Sequence, residues 1–228
     1  MGLAQRLVSY VKGREVIFDD KVSFGYLLNL SLEKFFALLR GLLKTRQLIF
    51  LGRGTTIKAS AQLFSEKGVE ISNYCQIDCL GQHGLFIGKG SKVGSYSIVS
   101  VSGSLADLGH KIEIGRNVGI GEFAHIGGAG SVSIGDDTVT GAYLSIHPEN
   151  HNFDDKSKPI RLQGVSRLGV HIGKGCWIGA KVTFLDGSSI GNGCVVGAGA
   201  VVNKKFADYV VIGGVPARIL RHLDRSPK

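Results

Sequence analysis

Between residues 71 and 202 a mostly aliphatic position recurs every six residues, usually followed by glycine, with a small residue four places after it. The pattern is seen best in the series Ile87, Val93, Val99; Ile114, Ile120, Ile126; Ile134, Thr140, Ile146; Ile172, Ile178, Phe184; and Ile190, Val196, Val202. Each series predicts three short strands that complete one coil of about 18 residues, with aliphatic side chains stacked inside. The expected fold class is therefore an all-β solenoid, a parallel β-helix, with Ile172 one coil below Ile190 and Cys176 one coil below Cys194.

The segments that flank or interrupt the repeat predict other structure. From Leu28 to Leu43 apolar residues follow the spacing of an amphipathic helix, so residues 1–50 are expected to form an N-terminal helical extension. Residues 51–205 are expected to form the β-helix, and residues 206–228 a strand, a turn and a short basic C-terminal helix. Polar loops interrupt the repeat at 100–111 and 147–169, and the second is rich in ionisable residues. A long excursion from a regular scaffold is typical of a functional loop.

Composition limits the class of protein further. The chain has 34 glycines in 228 residues, which the repeat explains without disorder. Three of its four cysteines, Cys75, Cys176 and Cys194, fall at the small position of their repeats, and Cys79 makes no zinc-type pair with them. We therefore expect buried thiols. Nothing resembles a signal peptide or a membrane-spanning run, so a cytoplasmic protein is predicted. Whether it also makes peripheral contact with the inner membrane face stays open.

Positive charge is concentrated at the two ends of the chain. Residues 1–60 carry 10 Lys and Arg against 4 Asp and Glu, and residues 203–228 carry 6 against 2. Basic ends favour contact with phosphate groups or an anionic membrane surface. Two interpretations of the basic amphipathic helix at 25–46 stay open, namely peripheral membrane contact and packing on its own domain or oligomer. Nucleic-acid binding is disfavoured, because no stacking aromatic pattern accompanies the charge.

The ordered set of motifs between residues 70 and 221 resembles the hexapeptide-repeat acyltransferases, in particular their sugar O-acetyltransferase branch, which includes galactoside and maltose acetyltransferases. The motifs are the loop NHNF at 150–153, VHIGKGCWIGA at 170–180, the repeats at 190–202, and GVPAR at 214–218. The resemblance implies a left-handed parallel β-helix that assembles as a homotrimer. It also implies acetyl-CoA as co-substrate, bound between neighbouring prisms, and a carbohydrate acceptor. No metal is expected.

The resemblance also implies roles for individual residues. His151 corresponds to the general base that takes the proton of the acceptor hydroxyl, and His147 is its rival for that role. The backbone N–H of Ala180 corresponds to the donor at the oxyanion. What orients His151 stays open between Asp154, Asp155 and a backbone carbonyl. The residues expected to contact acetyl-CoA are Trp177, Gly179, Ala198, Gly199, Asn203, Lys204, Pro216, Arg218 and Arg221.

The stretch 127–130, which reads GGAG, departs from the family, because galactoside-type relatives hold the acceptor sugar with polar residues there. We therefore expect an acceptor in surface polysaccharide or O-antigen assembly, free, nucleotide-linked or lipid-linked. N-acetylation of a nucleotide-linked amino sugar is the alternative reaction. Alternatives of another class are a non-catalytic β-helix scaffold and a zinc enzyme of the γ-carbonic anhydrase type, with His147, His151 and either His125 or His171 as ligands.

Overall fold

A computed structural model describes residues 19 and 21–224. Predictions for residues 1–18, 20 and 225–228 lie outside the described residues. Helix α1 spans Phe24–Thr45, and short 3-10 helices occupy Ser60–Gln62 and Ile160–Leu162. The remaining regular structure of the described part consists of 25 strands, numbered β1 to β25 in chain order, most of them two to four residues long.

Three sheets contain all of these strands except one hairpin. Sheet A is formed by β1 (Phe50–Leu51), β4 (Glu70–Ile71), β7 (Lys92–Val93), β10 (Gly119–Ile120), β13 (Val139–Thr140), β18 (Trp177–Ile178), β21 (Val195–Val196), β24 (Val210–Gly213) and β25 (Arg218–His222). Sheet B is formed by β2 (Thr56–Lys58), β5 (Gln76–Asp78), β8 (Ile98–Ser100), β11 (His125–Gly127), β14 (Ser145–His147), β19 (Thr183–Leu185) and β22 (Val201–Val202). Sheet C is formed by β3 (Leu63–Ser65), β6 (Gly84–Ile87), β9 (Lys111–Ile114), β12 (Val132–Ile134), β17 (Val170–Ile172), β20 (Ser189–Ile190) and β23 (Lys205–Phe206). The hairpin is β15 (Asn150–His151) with β16 (Val165–Ser166).

The chain visits sheets A, B and C in fixed rotation, so each round is one coil and each sheet stacks strands from successive coils. Every pairing within the three sheets is parallel except that of β24 with β25. Ile172 lies directly opposite Ile190, as the repeat predicts. The aliphatic positions of the repeat are buried in one continuous core together with Cys75, Cys79, Cys176 and Cys194. The predicted coil and the predicted buried thiols are therefore confirmed.

Residues with a left-handed backbone occur at all three corners between sheets, and the C–A and A–B corners fill this conformation with different residue types. At the C–A corner the positive φ falls mostly on Gly, Asn or Asp, the residue types that accept it most readily. At the A–B corner of four successive coils it falls on an aromatic residue, namely Tyr74, Tyr96, Phe123 and Tyr143. Their rings stack at centroid distances of 5.2, 5.2 and 5.0 Å. Such pairs contribute about 0.5–1.5 kcal/mol each, which offsets part of the backbone strain at these positions.

Both long loops leave from the B–C corner, two coils apart, with the short turn at 128–131 between them. Arg167 holds them together, because its guanidinium pairs with Asp107 of the first loop at 3.0 Å and with Glu149 of the second at 3.1 Å. The buried carboxylate of Asp186 accepts hydrogen bonds from the backbone N–H groups of residues 168 and 169, both at 2.8 Å. These contacts bind the C-terminal end of the loop at 147–169 to the coil and join its two ends to each other.

Helix α1 confirms the predicted N-terminal helix and packs on the first coil. Its N-cap is Ser23, whose hydroxyl accepts from the backbone N–H of Tyr26 at 3.2 Å. The buried positions Ala37, Gly41 and Thr45 form the stripe that contacts the coil. A side chain at Gly41 would begin 2.0 Å from the carbonyl oxygen of Ile49, so only glycine allows this approach. Among the described residues no helix is long and apolar enough to span a membrane.

The predicted basic C-terminal helix is wrong for the part of it that the structure describes. Arg218–His222 form strand β25, antiparallel to β24, and β23 and β24 extend the stack of coils to Gly213, beyond the predicted boundary at residue 205. The physical reason is that β24 would otherwise leave a row of backbone groups unpaired at the edge of sheet A. The returning chain pairs those groups, which a helix at the same position would not do.

Candidate active site

A histidine pair lies on the outer face of sheet B, where the loop at 147–169 begins. The rings of His125 and His147 stack at a centroid distance of 5.4 Å, and His147 Nε2 shares a hydrogen bond of 2.8 Å with the Ser145 hydroxyl. Burial lowers the pKa of His147, and the neighbouring His125 lowers it further. Sequence analysis grouped His125 with His147 only as alternative zinc ligands. The register of Ile126 opposite Ile146 places the two histidines on the same face of neighbouring strands.

His151 lies in the hairpin of the same loop, opposite Val165, and its side chain is exposed. Within the described residues its ring makes no hydrogen bond, so both nitrogens are available to an acceptor. Asp155 is already engaged by the Ser157 hydroxyl at 2.6 Å and by Lys158 at 3.0 Å. Of the residues expected to orient His151, Asp155 is therefore committed elsewhere.

A continuous line of side chains crosses the outer face of sheet A. Val139, Trp177, Val195, Val211 and Arg221 lie directly opposite one another on five neighbouring strands. Trp177 is 60% exposed. Three strand spacings separate Trp177 from Arg221, or about 14 Å at the usual distance between paired strands. The line therefore presents an indole with one valine on one side of it, and two valines followed by a guanidinium on the other.

The A–B corner beside this line carries unpaired backbone donors. Gly179 directly follows β18, and its N–H donates a hydrogen bond to Val196 O at 2.8 Å. The N–H of the next residue, Ala180, makes no hydrogen bond within the described residues. The N–H of Ala198, one coil further on, is unpaired in the same sense, and the space beside Gly199 is open. Backbone N–H groups held in a rigid coil are suited to stabilising negative charge on an oxygen.

The structure does not bring all the predicted site residues together within one chain. Because each corner of a three-sided coil lies opposite the third sheet, the loop that carries His151, at the B–C corner, is on the far side from Trp177 on sheet A. Asn203 and Lys204 also lie at the B–C corner, where the Lys204 ammonium group lies 5.4 Å from the Phe206 ring. Pro216 is in the turn that precedes β25, and Arg218 lies opposite Gly213.

The histidines named for a zinc site are divided between two sheets. His125 and His147 lie on sheet B, whereas His171 lies on sheet C and shares a hydrogen bond of 2.6 Å with the Ser133 hydroxyl. Among residues 19 and 21–224 no group of three or more metal-ligating side chains is close enough to hold an ion. The three ligands that the zinc alternative requires are thus not assembled in the described part of one chain.

Comparison with known proteins places the repeat in a family. Residues 169–204 match the model described as bacterial transferase hexapeptide (six repeats). The chain is 30% identical over 182 residues to a Mycobacterium tuberculosis protein named as a probable acetyltransferase, covering 80% of this chain and 52% of that protein. It is 35% identical over 119 residues to an Escherichia coli protein provisionally named lipopolysaccharide biosynthesis O-acetyl transferase WbbJ, covering 49% and 61%.

A solved structure extends the likeness of the fold over most of the chain. A variant of AntD, an N-acyltransferase from Bacillus cereus in complex with dTDP-4-amino-4,6-dideoxyglucose and coenzyme A, superposes with a TM-score of 0.53 at 20% identity, covering 80% of this chain and 83% of that one. The chain spans between 52% and 61% of the length of the two curated relatives above. The resemblance inferred from the sequence is confirmed at the level of the repeat: residues 169–204 carry the hexapeptide repeat of bacterial transferases, and the two relatives above are named as acetyltransferases.

Proposed function

We propose that this chain is an acetyl-CoA-dependent O-acetyltransferase that acts on a sugar hydroxyl in surface polysaccharide or O-antigen synthesis. The observation that carries the proposal is the line from Trp177 to Arg221 on sheet A, with the unpaired N–H groups of Ala180 and Ala198 beside it. A line of about 14 Å that ends in a guanidinium suits an extended thioester with phosphates at one end. The similarity to proteins named as acetyltransferases supports the same reaction.

In the reaction we infer, His151 accepts the proton of the acceptor hydroxyl as its oxygen bonds to the thioester carbonyl carbon. The carbonyl oxygen becomes an oxyanion, to which the N–H of Ala180 donates a hydrogen bond. When the carbonyl reforms, the carbon–sulfur bond breaks and the thiolate leaves, taking the proton held on His151. The products are the acetyl ester and coenzyme A. His151 is favoured over His147 because Ser145 already occupies one ring nitrogen of His147.

We further propose that each site is shared between two copies of the chain in a homotrimer, and that the coil is left-handed as in the family. Trp177 and His151 lie on opposite sides of one chain, so a single copy cannot bring them to the same thioester. Head-to-tail packing around a threefold axis places the B–C corner of one copy against sheet A of the next. Asn203 and Lys204 would then approach the neighbour's cofactor from the same side as His151.

The acceptor we infer is held mainly by the loop at 147–169. The glycine-rich stretch at 127–130 is needed for packing, since a side chain at Gly130 would begin 2.0 Å from the carbonyl oxygen of Pro148. The loop, in contrast, offers exposed polar and charged side chains such as Asn152, Lys156 and Arg161. A sugar that is part of a larger glycan can contact such a loop along several of its residues.

The linkage in the product tests the reaction class. The full-length protein is incubated with acetyl-CoA labelled in the acetyl group and with one of two kinds of sugar, those with hydroxyls only and those with an added amine. The labelled product is then treated with dilute hydroxide. We expect transfer to hydroxyl-only sugars and release of the label, because hydroxide cleaves an ester and leaves an amide intact. Label retained on amino sugars alone would instead establish N-acetylation. No transfer by a folded protein that binds acetyl-CoA would contradict the proposed acceptor class.

Replacing Arg218 and Arg221 with alanine is expected to weaken acetyl-CoA binding by about tenfold to a hundredfold, which is the usual loss when charge-assisted hydrogen bonds to phosphate are removed. Calorimetry would compare wild type with Arg218→Ala/Arg221→Ala. The control, Arg53→Ala/Lys58→Ala, removes the same charge from exposed positions of the first coil. Equal affinity of the two double variants for acetyl-CoA would mean that Arg218 and Arg221 do not bind its phosphates.

A further inference from the structure

One face of helix α1 is apolar along its whole length and points away from the coil. This apolar helix face follows the i, i+4, i+7 spacing and has exposed fractions between 42% and 80% for Phe24, Leu28, Leu32, Phe35, Phe36, Leu39, Leu42 and Leu43. None of the residues at that spacing is charged. In an ordinary surface helix the apolar side is the buried one, so the orientation of this helix is reversed.

The cationic side chains of the helix are bound to the coil instead. Lys34 pairs with Glu70 at 2.6 Å, Arg40 Nε donates to Leu51 O at 2.9 Å, and Lys44 Nζ donates to Thr55 O at 3.1 Å. The sequence left two interpretations of these basic residues open, namely contact with an anionic membrane and packing on the protein. The structure commits them to the protein, and in doing so it fixes the apolar helix face outward.

The size of this face means that something covers it in solution. A helix of 22 residues is about 33 Å long, and a band of leucine and phenylalanine over that length exceeds the few hundred Å² that a monomer usually exposes. At about 25 cal/mol per Å² of apolar area removed from water, covering the band is strongly favourable.

We propose that the apolar helix face docks on a lipid bilayer, with the helix lying in the plane of the membrane and its leucines and phenylalanines in the acyl boundary. Two features favour lipid over a protein partner. The helix has a single acidic residue, Glu33, so the face lacks a rim of mixed charge along its length. Exposed Lys21 and Arg46 lie beyond its two ends, where long cationic side chains can reach lipid phosphates.

This mode of docking relies on apolar burial rather than on headgroup charge. We therefore expect binding to neutral phosphatidylcholine vesicles that persists in 1 M salt, where the screening length falls to roughly 3 Å. The inference stands apart from the transferase reaction, because vesicle binding is measured without acetyl-CoA or acceptor.

The experiment is flotation of the full-length protein with phosphatidylcholine vesicles in high salt. Phe35→Ser/Phe36→Ser is expected to lower the partition coefficient at least about tenfold. The matched control is Phe64→Ser/Phe86→Ser, which removes another neighbouring pair of half-exposed rings, stacked at 4.7 Å on sheet C. It is expected to float like wild type. Circular dichroism and the mass in solution of each variant would accompany the measurement.

Three results would overturn the proposal. The first is wild-type protein that binds no vesicles. The second is binding to anionic vesicles at low salt only, which would show that headgroup charge and not apolar burial drives membrane binding. The third is a Phe35→Ser/Phe36→Ser protein of lower mass in solution that still floats, which would show that a second copy of the chain covers the apolar helix face.

Discussion

His151→Ala is expected to lower kcat at least about 10²-fold while the protein stays folded, since loss of a general base typically costs 10² to 10⁴. The substitution removes an exposed ring that makes no hydrogen bond within the described residues, so its effect on stability should be small. Steady-state kinetics with labelled acetyl-CoA would give kcat, and thermal unfolding would report the fold.

His147→Ala serves as the comparison, because it removes a histidine only four residues away. That ring is stacked on His125 and bonded to Ser145, so its loss should disturb local packing and lower kcat less than His151→Ala does. The roles of the two histidines would be reversed if His147→Ala had the larger effect on kcat with an intact fold. Near-normal turnover of His151→Ala would remove that residue from the mechanism.

Mixing two defective chains is expected to restore activity. His151→Ala lacks the base and Arg218→Ala/Arg221→Ala lacks the phosphate contacts, and each alone should be nearly inactive at acetyl-CoA concentrations below the wild-type KM. If a site takes its base from one copy and its cofactor contacts from the next, each mixed trimer has one complete site of three, so assemblies purified through both tags should have about a third of their sites complete. Co-expression with two different affinity tags, followed by tandem purification and assay, would measure the recovery.

Absence of recovery in mixed assemblies would mean that base and cofactor contacts belong to the same chain, since every chain in the mixture is then defective. The separately expressed variants give the background activity. Recovery of both tags in one complex verifies that the chains have mixed. A positive result would also exclude a monomeric enzyme.

Much of the fold could be predicted because the repeat is a local signal with a single physical solution. The positions of Ile172 and Ile190 predict their stacking directly, and the stacking fixes which neighbouring residues share a face. The alignment of Trp177 with Arg221 needed one more fact, namely that β25 pairs with β24. Basic residues in the last segment suggested a helix, and local propensity gave no sign of the open sheet edge that decided otherwise.

The helix shows a different limit of sequence reasoning. Its apolar spacing correctly predicted a helix, but spacing cannot say which side faces the protein. The decision depends on contacts distant in sequence, such as Lys34 with Glu70 and Gly41 against Ile49. Sequence reasoning missed the separation of His151 from Trp177 for the same reason, since that separation depends on the corner of the coil from which the loop at 147–169 extends.

The placement of both long loops at a single corner also bears on how this architecture can change. The turn at 128–131 closes that corner with four residues, whereas the coils on either side of it close the same gap with far longer segments. Strands β14 and β17 keep their register with their neighbours although 22 residues separate them. Insertions there leave the stacked coils undisturbed, so the loops at this corner can change in length and sequence while sheet A, with Trp177 and Arg221, keeps its strand pairing.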